Sequence, residues 1–356
     1  MLDLLTYLDN YNRPVTANLN VADQMLLSRL PFLPLTGIVP ADLTSSVALP
    51  DALHLLSHQQ TDNSKKLLLP NDAQLIQKLS RSFRYAKVRL SGFQVAPPAN
   101  LLTPYAAITV QLNSENKVVV FRGAEGTTLG WRADLQTLAQ AKNRPWQNFA
   151  QTYLETVATA NHAQLQLVGF SLGGSMAIYA ACQVTAAIQQ RLCAVVNLDG
   201  PQTFLTRPIS DPFKTHFQTY LPQLPFFGLG SQYMNLPNIV ASTASGVWQH
   251  DLYSWQIHDN QPFILGRAAT DTAFFKNSLQ PWLSEQPVEV VHEFIRTFEA
   301  ILNASQAVSV NDLLKHWQQV TKAFSTQSTT WTPEARQMGQ QTLQAALKII
   351  GSFTRF

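Results

Sequence analysis

The sequence predicts an α/β protein with a mostly parallel central sheet and helical additions at both ends. Short apolar runs at 117–121, 165–168 and 194–198 are typical of strands that are buried on both faces of a sheet. Helical patterns at 152–160 and 175–188 lie between these runs. Because strands and helices alternate with short connections, we expect a parallel sheet covered by helices.

A β-hairpin is predicted just before the alternating strands and helices of the core. Residues 87–93 and 106–112 alternate between apolar and polar side chains, which is typical of strands with one buried face. Residues 113–116 read Asn-Ser-Glu-Asn, a turn composition, and lead into the buried run at 117–121. The hairpin therefore feeds the chain into a central strand.

Both ends of the chain have helical patterns. Residues 1–84 contain short apolar segments at helical spacing, separated by proline-rich loops, and helical spacing returns after about residue 269. We predict an N-terminal helical segment at 1–84 packed on the core, an α/β core at 85–268 and a C-terminal helical segment at 269–356. Together they are expected to form one compact unit.

Composition and charge argue against several classes of protein. The hydrophobic share of 46% supports a large buried core and argues against disorder. The net charge of +3 is small for 356 residues, so we expect no nucleic-acid partner. Five basic residues and no acidic one lie between Asp72 and Glu115, namely Lys78, Arg81, Arg84, Lys87 and Arg89. We interpret this stretch as a solvated face, with a membrane surface as the weaker alternative.

The cysteines and the N-terminus carry no sign of a metal site or of export. Cys182 and Cys193 lie in apolar runs, which predicts two buried free thiols. The sequence has no Cys-x-x-Cys pair, and we expect neither a metal nor a cofactor. The first residues lack a basic segment followed by an apolar run, and no stretch of about 20 apolar residues occurs. These features predict a soluble cytoplasmic protein.

The clearest local motif is Gly-x-Ser-x-Gly at 169–173, between a predicted buried strand and a predicted buried helix. A serine in this context sits on a sharp strand-to-helix turn, where glycines leave room that side chains would fill. The turn exposes the hydroxyl, and the helix N-terminus directs N–H groups toward developing negative charge. We therefore predict an α/β-hydrolase fold, with Ser171 as the nucleophile and the N–H of Leu172 as one oxyanion-hole donor.

A second oxyanion-hole donor is expected from a loop that follows an earlier central strand. Phe-Arg-Gly-Ala at 121–124 follows the predicted strand at 117–121, and its glycine would let the backbone approach a substrate closely. The N–H of Ala124 is the candidate donor. An ordinary glycine turn is the alternative interpretation.

The combined motifs resemble those of the class 3 lipases, and more closely those of an uncharacterised bacterial α/β-hydrolase family related to them. The motifs are Phe-Arg-Gly at 121–123 followed by Trp131 and Asp134, Gly-x-Ser-x-Gly-Gly at 169–174, Asp-Gly-Pro at 199–201 and Gln-His-Asp-x-x-x-Trp at 249–255. Two positions depart from the pattern. Ala124 stands where the family usually has Thr or Ser, and Phe170 stands where it tends to have His.

His250 is the candidate general base. In α/β-hydrolases the triad follows the chain order Ser, acid, His, and five histidines follow Ser171: His216, His250, His258, His292 and His316. His250 follows an extended stretch at 238–247 and matches the Gln-His-Asp motif of the resembling family. An imidazole there could take the serine proton and pass it to the leaving group. His258 is the runner-up.

The acid is less narrowly defined by sequence. Asp199 directly follows the predicted strand at 194–198, at the sheet edge where sites of α/β proteins gather. Its alternative interpretation is a turn residue before Gly-Pro. Asp211 lies one connection later, nearer the usual place in class 3 lipases, and is the alternative acid.

These residues predict a serine hydrolase of the lipase or esterase type, which cleaves an acyl ester through a Ser-His-Asp triad and an acyl-enzyme intermediate. The ester substrate, a small molecule or a lipid, is implied by the resemblance. Apolar residues around 221–234 could line an acyl pocket or a lid, or pack on the sheet. The alternative function is a non-catalytic binding or assembly protein with a hydrolase fold.

Overall fold

The computed structural model describes residues 2–15, 17, 19–59, 69–96, 105–123, 145–200, 211–223, 235–244, 249–265, 317–334, 336–337 and 339–340. The chain divides into two compact units. The first comprises Met1–Pro97, Pro104–Gly123 and Pro145–Ala268, and the second comprises Pro98–Thr103, Ala124–Arg144 and Ala269–Phe356. In the second unit, α9 (Trp317–Gln327) leads into a 3-10 turn at Ser328–Thr330, and Phe324 packs edge-on against Trp331.

A nine-stranded mixed sheet organises the first unit. Its strands, in spatial order, are β1 (Val47–Ala48), β2 (Arg89–Val95), β3 (Ala106–Gln111), β4 (Asn116–Arg122), β5 (Gln164–Phe170), β6 (Leu192–Leu198), β7 (Phe217–Pro222), β8 (Asn238–Val240) and β11 (Ile264–Leu265). Strands β4 to β8 are parallel, and the pairs outside them are antiparallel. The predicted hairpin is confirmed, with Val110 opposite Val118. A separate hairpin pairs β9 (Ile257–His258) with β10 (Gln261–Pro262).

Helices surround this sheet. In chain order they are α1 (Leu4–Asn10), α2 (Val21–Ser28), α3 (Leu49–Gln59), α4 (Asn71–Arg81), α5 (Pro145–Ala160), α6 (Leu172–Gln183), α7 (Ala186–Gln189) and α8 (Asp211–Lys214), with 3-10 turns at Leu30–Phe32, Phe83–Tyr85 and Leu252–Ser254. The chain is therefore an α/β protein. Among the residues that the structure describes, no helix is both long and apolar enough to cross a membrane.

The strictly sequential order of the parallel strands decides what covers each face of the sheet. Right-handed crossovers that always step in the same direction place their helices on the same face. Helices α5 and α6 accordingly pack on each other, and α6 packs on β4, β5 and β6. On that face Phe121 of β4 meets Tyr153 of α5, with ring centroids 6.0 Å apart.

The opposite face is covered by the N-terminal part of the chain. Successive side chains of a strand point to opposite faces, and in β4 it is Val118 and Val120 that join the core formed with α1 and α2. Val168 of β5 and Val196 of β6 join the same core. Helix α2 packs directly on β4 and β5. The N-terminal helices thus form a layer of the first unit, which we call the N-terminal layer (residues 2–59 and 69–85).

Two buried ion pairs cross-link the N-terminal layer. Arg84 donates to both carboxylate oxygens of Asp23, at 2.7 and 2.6 Å, and Tyr85 donates its hydroxyl to the same carboxylate. Arg29 donates to both oxygens of Asp72, each at 2.9 Å. Buried pairs of this kind are strongly destabilising to break, because the remaining charge is left without its partner.

Three sequence expectations were wrong in detail. Arg84 belongs to the basic stretch interpreted as a solvated face, yet it is buried because Asp23 neutralises it. The apolar pattern at 175–188 predicted one helix, but α6 ends at Gln183 and a separate turn of helix follows. Both cysteines are free, and Cys182 is buried. Cys193 is exposed, because the alternation of β6 turns it away from its buried neighbour Leu192.

Candidate active site

Ser171 stands at the turn between β5 and α6. Its φ of 56° and ψ of −137° lie in a region that residues other than glycine rarely adopt. The flanking glycines make the turn possible. A Cβ at position 169 would overlap the backbone of Gly173, and a Cβ at position 173 would overlap the carbonyl of Phe121. The Gly-x-Ser-x-Gly motif is therefore a strained strand-to-helix turn.

Backbone hydrogen bonds fasten the turn to β6 and to the start of α6. The N–H of Ser171 donates to the carbonyl of Leu198 in β6, at 2.9 Å, and the carbonyl of Ser171 accepts from the N–H of Gly174, at 2.8 Å. Helix α6 starts at Leu172, and the first N–H groups of a helix have no partner within it. The N–H of Leu172 is among these groups.

The end of β4 lies against this helix start. A Cβ at position 123 would overlap the Cβ of Leu172 and come within 2.7 Å of the nitrogen of Gly173. Only glycine allows that approach, which brings the Phe-Arg-Gly segment next to the serine turn. Ala124, the candidate second donor, lies outside the described residues.

Asp199 occupies a second strained turn, directly after β6. Its φ is 49°, its side chain is fully buried, and its N–H donates to the carbonyl of Tyr220 at 2.9 Å. Asn197 supports this turn, since its Oδ1 accepts the N–H of Gly200 at 2.8 Å. A Cβ at position 200 would come within 2.6 Å of the carbonyl oxygen of Ser171. The glycine of Asp-Gly-Pro thus lets the two turns touch.

His250 follows β8 in the chain, and its side chain lies beside the turns of Asp199 and Ser171. Its Nδ1 donates to Oδ2 of Asp199 at 2.7 Å. Its ring stacks on Phe170, the residue before Ser171, with centroids 4.6 Å apart and planes inclined by 30°. The imidazole is 18% exposed, while the Asp199 carboxylate is completely buried. Ser171, Asp199 and His250, the predicted nucleophile, acid and base, are brought to one place.

The segment that carries His250 has its own support. The indole nitrogen of Trp255 donates to the carbonyl of Gln249 at 2.7 Å. Asp251 caps the 3-10 turn Leu252–Ser254, because its Oδ1 accepts the N–H of Tyr253 at 3.0 Å. These contacts explain the spacing in Gln-His-Asp-x-x-x-Trp. The acid and the tryptophan hold the backbone on either side of a tight turn.

A comparison with known protein families identifies the family of the chain. The family model described as Mbeg1-like matches residues 79–300, which is 222 of the 356 residues and includes Ser171, Asp199 and His250. The chain belongs to the Mbeg1-like family. That family is related to the class 3 lipases, as the motifs suggested. No curated protein and no solved structure matches the chain.

The other candidates of this Mbeg1-like chain lie elsewhere or outside the described residues. His258 is 60% exposed on the β9–β10 hairpin and pairs with Asp259. Asp211, the alternative acid, begins α8, and its side chain is not among those described. Outside the described residues lie Trp131, Asp134, His292, His316 and the apolar residues at 224–234. Within the described ranges, no three His, Cys, Asp or Glu side chains cluster as metal ligands would.

Asn197 is the site residue that the sequence did not reveal. It is 1% exposed, and a Cβ at position 174 would overlap its Oδ1, so its amide packs under the start of α6 while it holds the Asp199 turn. The available signal was a single amide in the otherwise apolar strand Ala194–Leu198. A buried amide favours a local hydrogen bond, because burial without a partner is costly. Here Oδ1 has one, from the N–H of Gly200, while Nδ2 has no partner among the described residues.

Proposed function

We propose that this Mbeg1-like protein has an α/β-hydrolase fold and is a serine hydrolase of the lipase or esterase type. Ser171 is the nucleophile, His250 the general base and Asp199 the acid. The observation that carries the proposal is the 2.7 Å hydrogen bond from His250 to the fully buried Asp199, beside the strained Ser171 turn. Asp199 is favoured over Asp211 because it is the carboxylate that His250 contacts.

The chemistry follows from these positions. The Oγ of Ser171 attacks the ester carbonyl carbon while His250 takes the hydroxyl proton on Nε2. The carbonyl oxygen becomes an oxyanion, which the N–H groups of Leu172 and Ala124 stabilise. The intermediate expels the alkoxide, which leaves as the alcohol with the proton from His250. Water then cleaves the acyl-enzyme by the same steps and releases the acid.

Asp199 suits the supporting role because of its burial. A buried carboxylate holds the imidazole in the tautomer with a proton on Nδ1 and stabilises the imidazolium that forms during attack. Its other oxygen, Oδ1, is buried and has no hydrogen-bond partner within the described part of the chain. Within the described part of the chain, His250 is the side chain that hydrogen-bonds this carboxylate, and the bond favours the orientation of both groups.

A fluorophosphonate probe tests the proposal directly. We expect the folded wild-type protein to be labelled on Ser171 and Ser171→Ala to be unlabelled. Ser80→Ala, a change at a half-buried serine of α4, should label like wild type, and heat-denatured wild type should not label. A panel of p-nitrophenyl esters with acyl chains of increasing length would then define the acyl preference.

The alternative is a hydrolase-fold protein that binds without catalysing. Equal probe labelling of wild type and Ser171→Ala, together with ester turnover that the substitution leaves unchanged, would rule out the serine hydrolase and favour this alternative.

A further inference from the structure

The N-terminal layer reaches the turn that follows His250. The hydroxyl of Tyr253 donates to Oδ1 of Asp72 at 2.7 Å, although the two residues are 181 positions apart in the chain. Asp72 is completely buried, and both of its carboxylate oxygens accept hydrogen bonds from Arg29. Burial raises the pKa of Tyr253 well above its usual range, so the hydroxyl keeps the proton that it donates.

The same arginine is also connected to the serine turn, through two phenylalanine rings. The guanidinium of Arg29 lies over the ring of Phe32, 4.4 Å from its centroid. Phe32 packs against Phe170 with centroids 6.0 Å apart, and Phe170 is the ring on which His250 stacks. Two chains of contacts therefore connect Arg29 to the surroundings of His250. One runs through Asp72 and Tyr253, and the other runs through Phe32 and Phe170.

We propose that Tyr253 is a positioning residue for His250, acting through its hydrogen bond to the Arg29–Asp72 ion pair. The inference rests on the proposed function and adds to it a contribution from residues 29 and 72, which lie outside the family-matched segment at 79–300. Tyr253 does not touch substrate. It fixes the 3-10 turn Leu252–Ser254, and thereby the orientation of the His250 side chain.

Positioning matters because the imidazole has two demands to meet. Nδ1 must stay on Asp199 while Nε2 faces the serine hydroxyl, and a catalytic group displaced by about 1 Å can lose on the order of 100-fold in rate. The imidazole is anchored by Asp199 and Phe170 at one end. Its backbone needs a second anchor, which Trp255 provides before the turn and Tyr253 within it.

The protein contains a matched control. Tyr85, like Tyr253, lies in a 3-10 turn, is buried, and donates its hydroxyl to the aspartate of a buried Arg–Asp pair, here Arg84–Asp23. Burial raises the pKa of Tyr85 well above its usual range as well. Since no described contact joins Tyr85 to His250 or Ser171, Tyr85→Phe removes the same kind of hydrogen bond away from the site.

The experiment compares Tyr253→Phe with Tyr85→Phe in the full chain. We expect both variants to fold and to lose a similar amount of Tm. For hydrolysis of a short p-nitrophenyl ester, Tyr253→Phe should lower kcat about tenfold with KM little changed, because the base is displaced but the substrate site is not. Tyr85→Phe should keep the wild-type kcat. Equal kcat values for the two variants would overturn the proposal.

A second measurement does not depend on turnover. The Nδ1 proton that His250 shares with Asp199 should give a downfield proton NMR signal, assigned by its loss in Asp199→Ala. We expect Tyr253→Phe to shift or broaden this signal and Tyr85→Phe to leave it unchanged. If the wild type proves inactive, the proposed function fails, but this signal still decides the positioning role. An unchanged signal in Tyr253→Phe overturns it.

Discussion

Ser171 and Asp199 both hold positive φ angles, and such positions in non-glycine residues cost about 1–3 kcal/mol each. The surrounding structure must maintain them. Ser171 is fastened to β6 and Asp199 to β7 by their own N–H groups, at 2.9 Å each. Asparagine tolerates this backbone conformation as aspartate does, so the charge at position 199 can be removed without disturbing the turn.

Asp199→Asn should lower the rate of ester hydrolysis by roughly 1,000- to 10,000-fold, as the loss of a triad carboxylate does when the geometry is kept. Stability should hold or rise, because the substitution removes a buried charge, one oxygen of which has no hydrogen-bond partner among the described residues. Steady-state kinetics and a thermal melt measure the two effects. Asp259→Asn is the control, since it breaks an exposed His–Asp pair at His258 and should leave the rate unchanged.

At this scale the sequence predicted residues that belong to a motif and missed those that act through tertiary contact. Ser171 follows from the local pattern of glycines between a strand and a helix. Nothing local to Tyr253 or Asp72 signals that they meet, because their partners are distant in the chain. Ala124, the predicted second oxyanion-hole donor, lies outside the described residues, so its role stays a prediction.

The strand-to-helix turn is an element whose glycines have no substitute. We expect Gly169→Ala to cost several kcal/mol or to prevent folding, because its Cβ would overlap the backbone of Gly173 rather than a side chain that could move. Gly37→Ala is the control. Gly37 has a φ of 79° and nothing within 4 Å of the added Cβ, so only the backbone penalty of about 1–2 kcal/mol remains.

Denaturant unfolding of both glycine variants distinguishes the two costs. A Gly169→Ala protein as stable as Gly37→Ala would mean that the turn is not as tight as described. Soluble yield and probe labelling of Ser171 should fall together in Gly169→Ala, since the same turn carries the nucleophile.

Elements were easier to predict by type than by end. The buried runs became β4, β5 and β6, each a few residues longer than its apolar run. The predicted helix at 175–188 was too long because its apolar residues continue past the point where the chain must turn back toward β6. Val184 is already extended, with a ψ of 164°. An apolar pattern reports burial, and burial continues through such a turn.

At the scale of the first unit, the sequential strand order places α5 and α6 on one face of the sheet. The N-terminal layer must therefore cover the other face. Leu26 is fully buried within it, whereas Leu55 is 49% exposed. We expect Leu26→Asp to give insoluble or unfolded protein, because an unpaired charge would be buried against the sheet. Leu55→Asp should change the free energy of unfolding by no more than about 0.5 kcal/mol.

Soluble expression and circular dichroism separate these outcomes. A folded Leu26→Asp protein, as stable as Leu55→Asp, would contradict the tight packing of this layer on the sheet. The sequence predicted helices packed on the core at 1–84, but not which face they cover. That follows from the strand order, which cannot be read from periodicity.

The contact between the two ends of the first unit delays folding of the nascent chain. Leu2 and Ile257 exchange two backbone hydrogen bonds, at 3.0 and 2.8 Å, although 255 positions separate them. At about 5–20 residues per second, a ribosome needs on the order of tens of seconds to span that interval. For much of this time, helices α1 and α2 have been synthesised but the sheet on which they pack is incomplete. Early binding of a chaperone to the emerging apolar helices would therefore benefit this protein more than one whose first elements pair with their immediate successors.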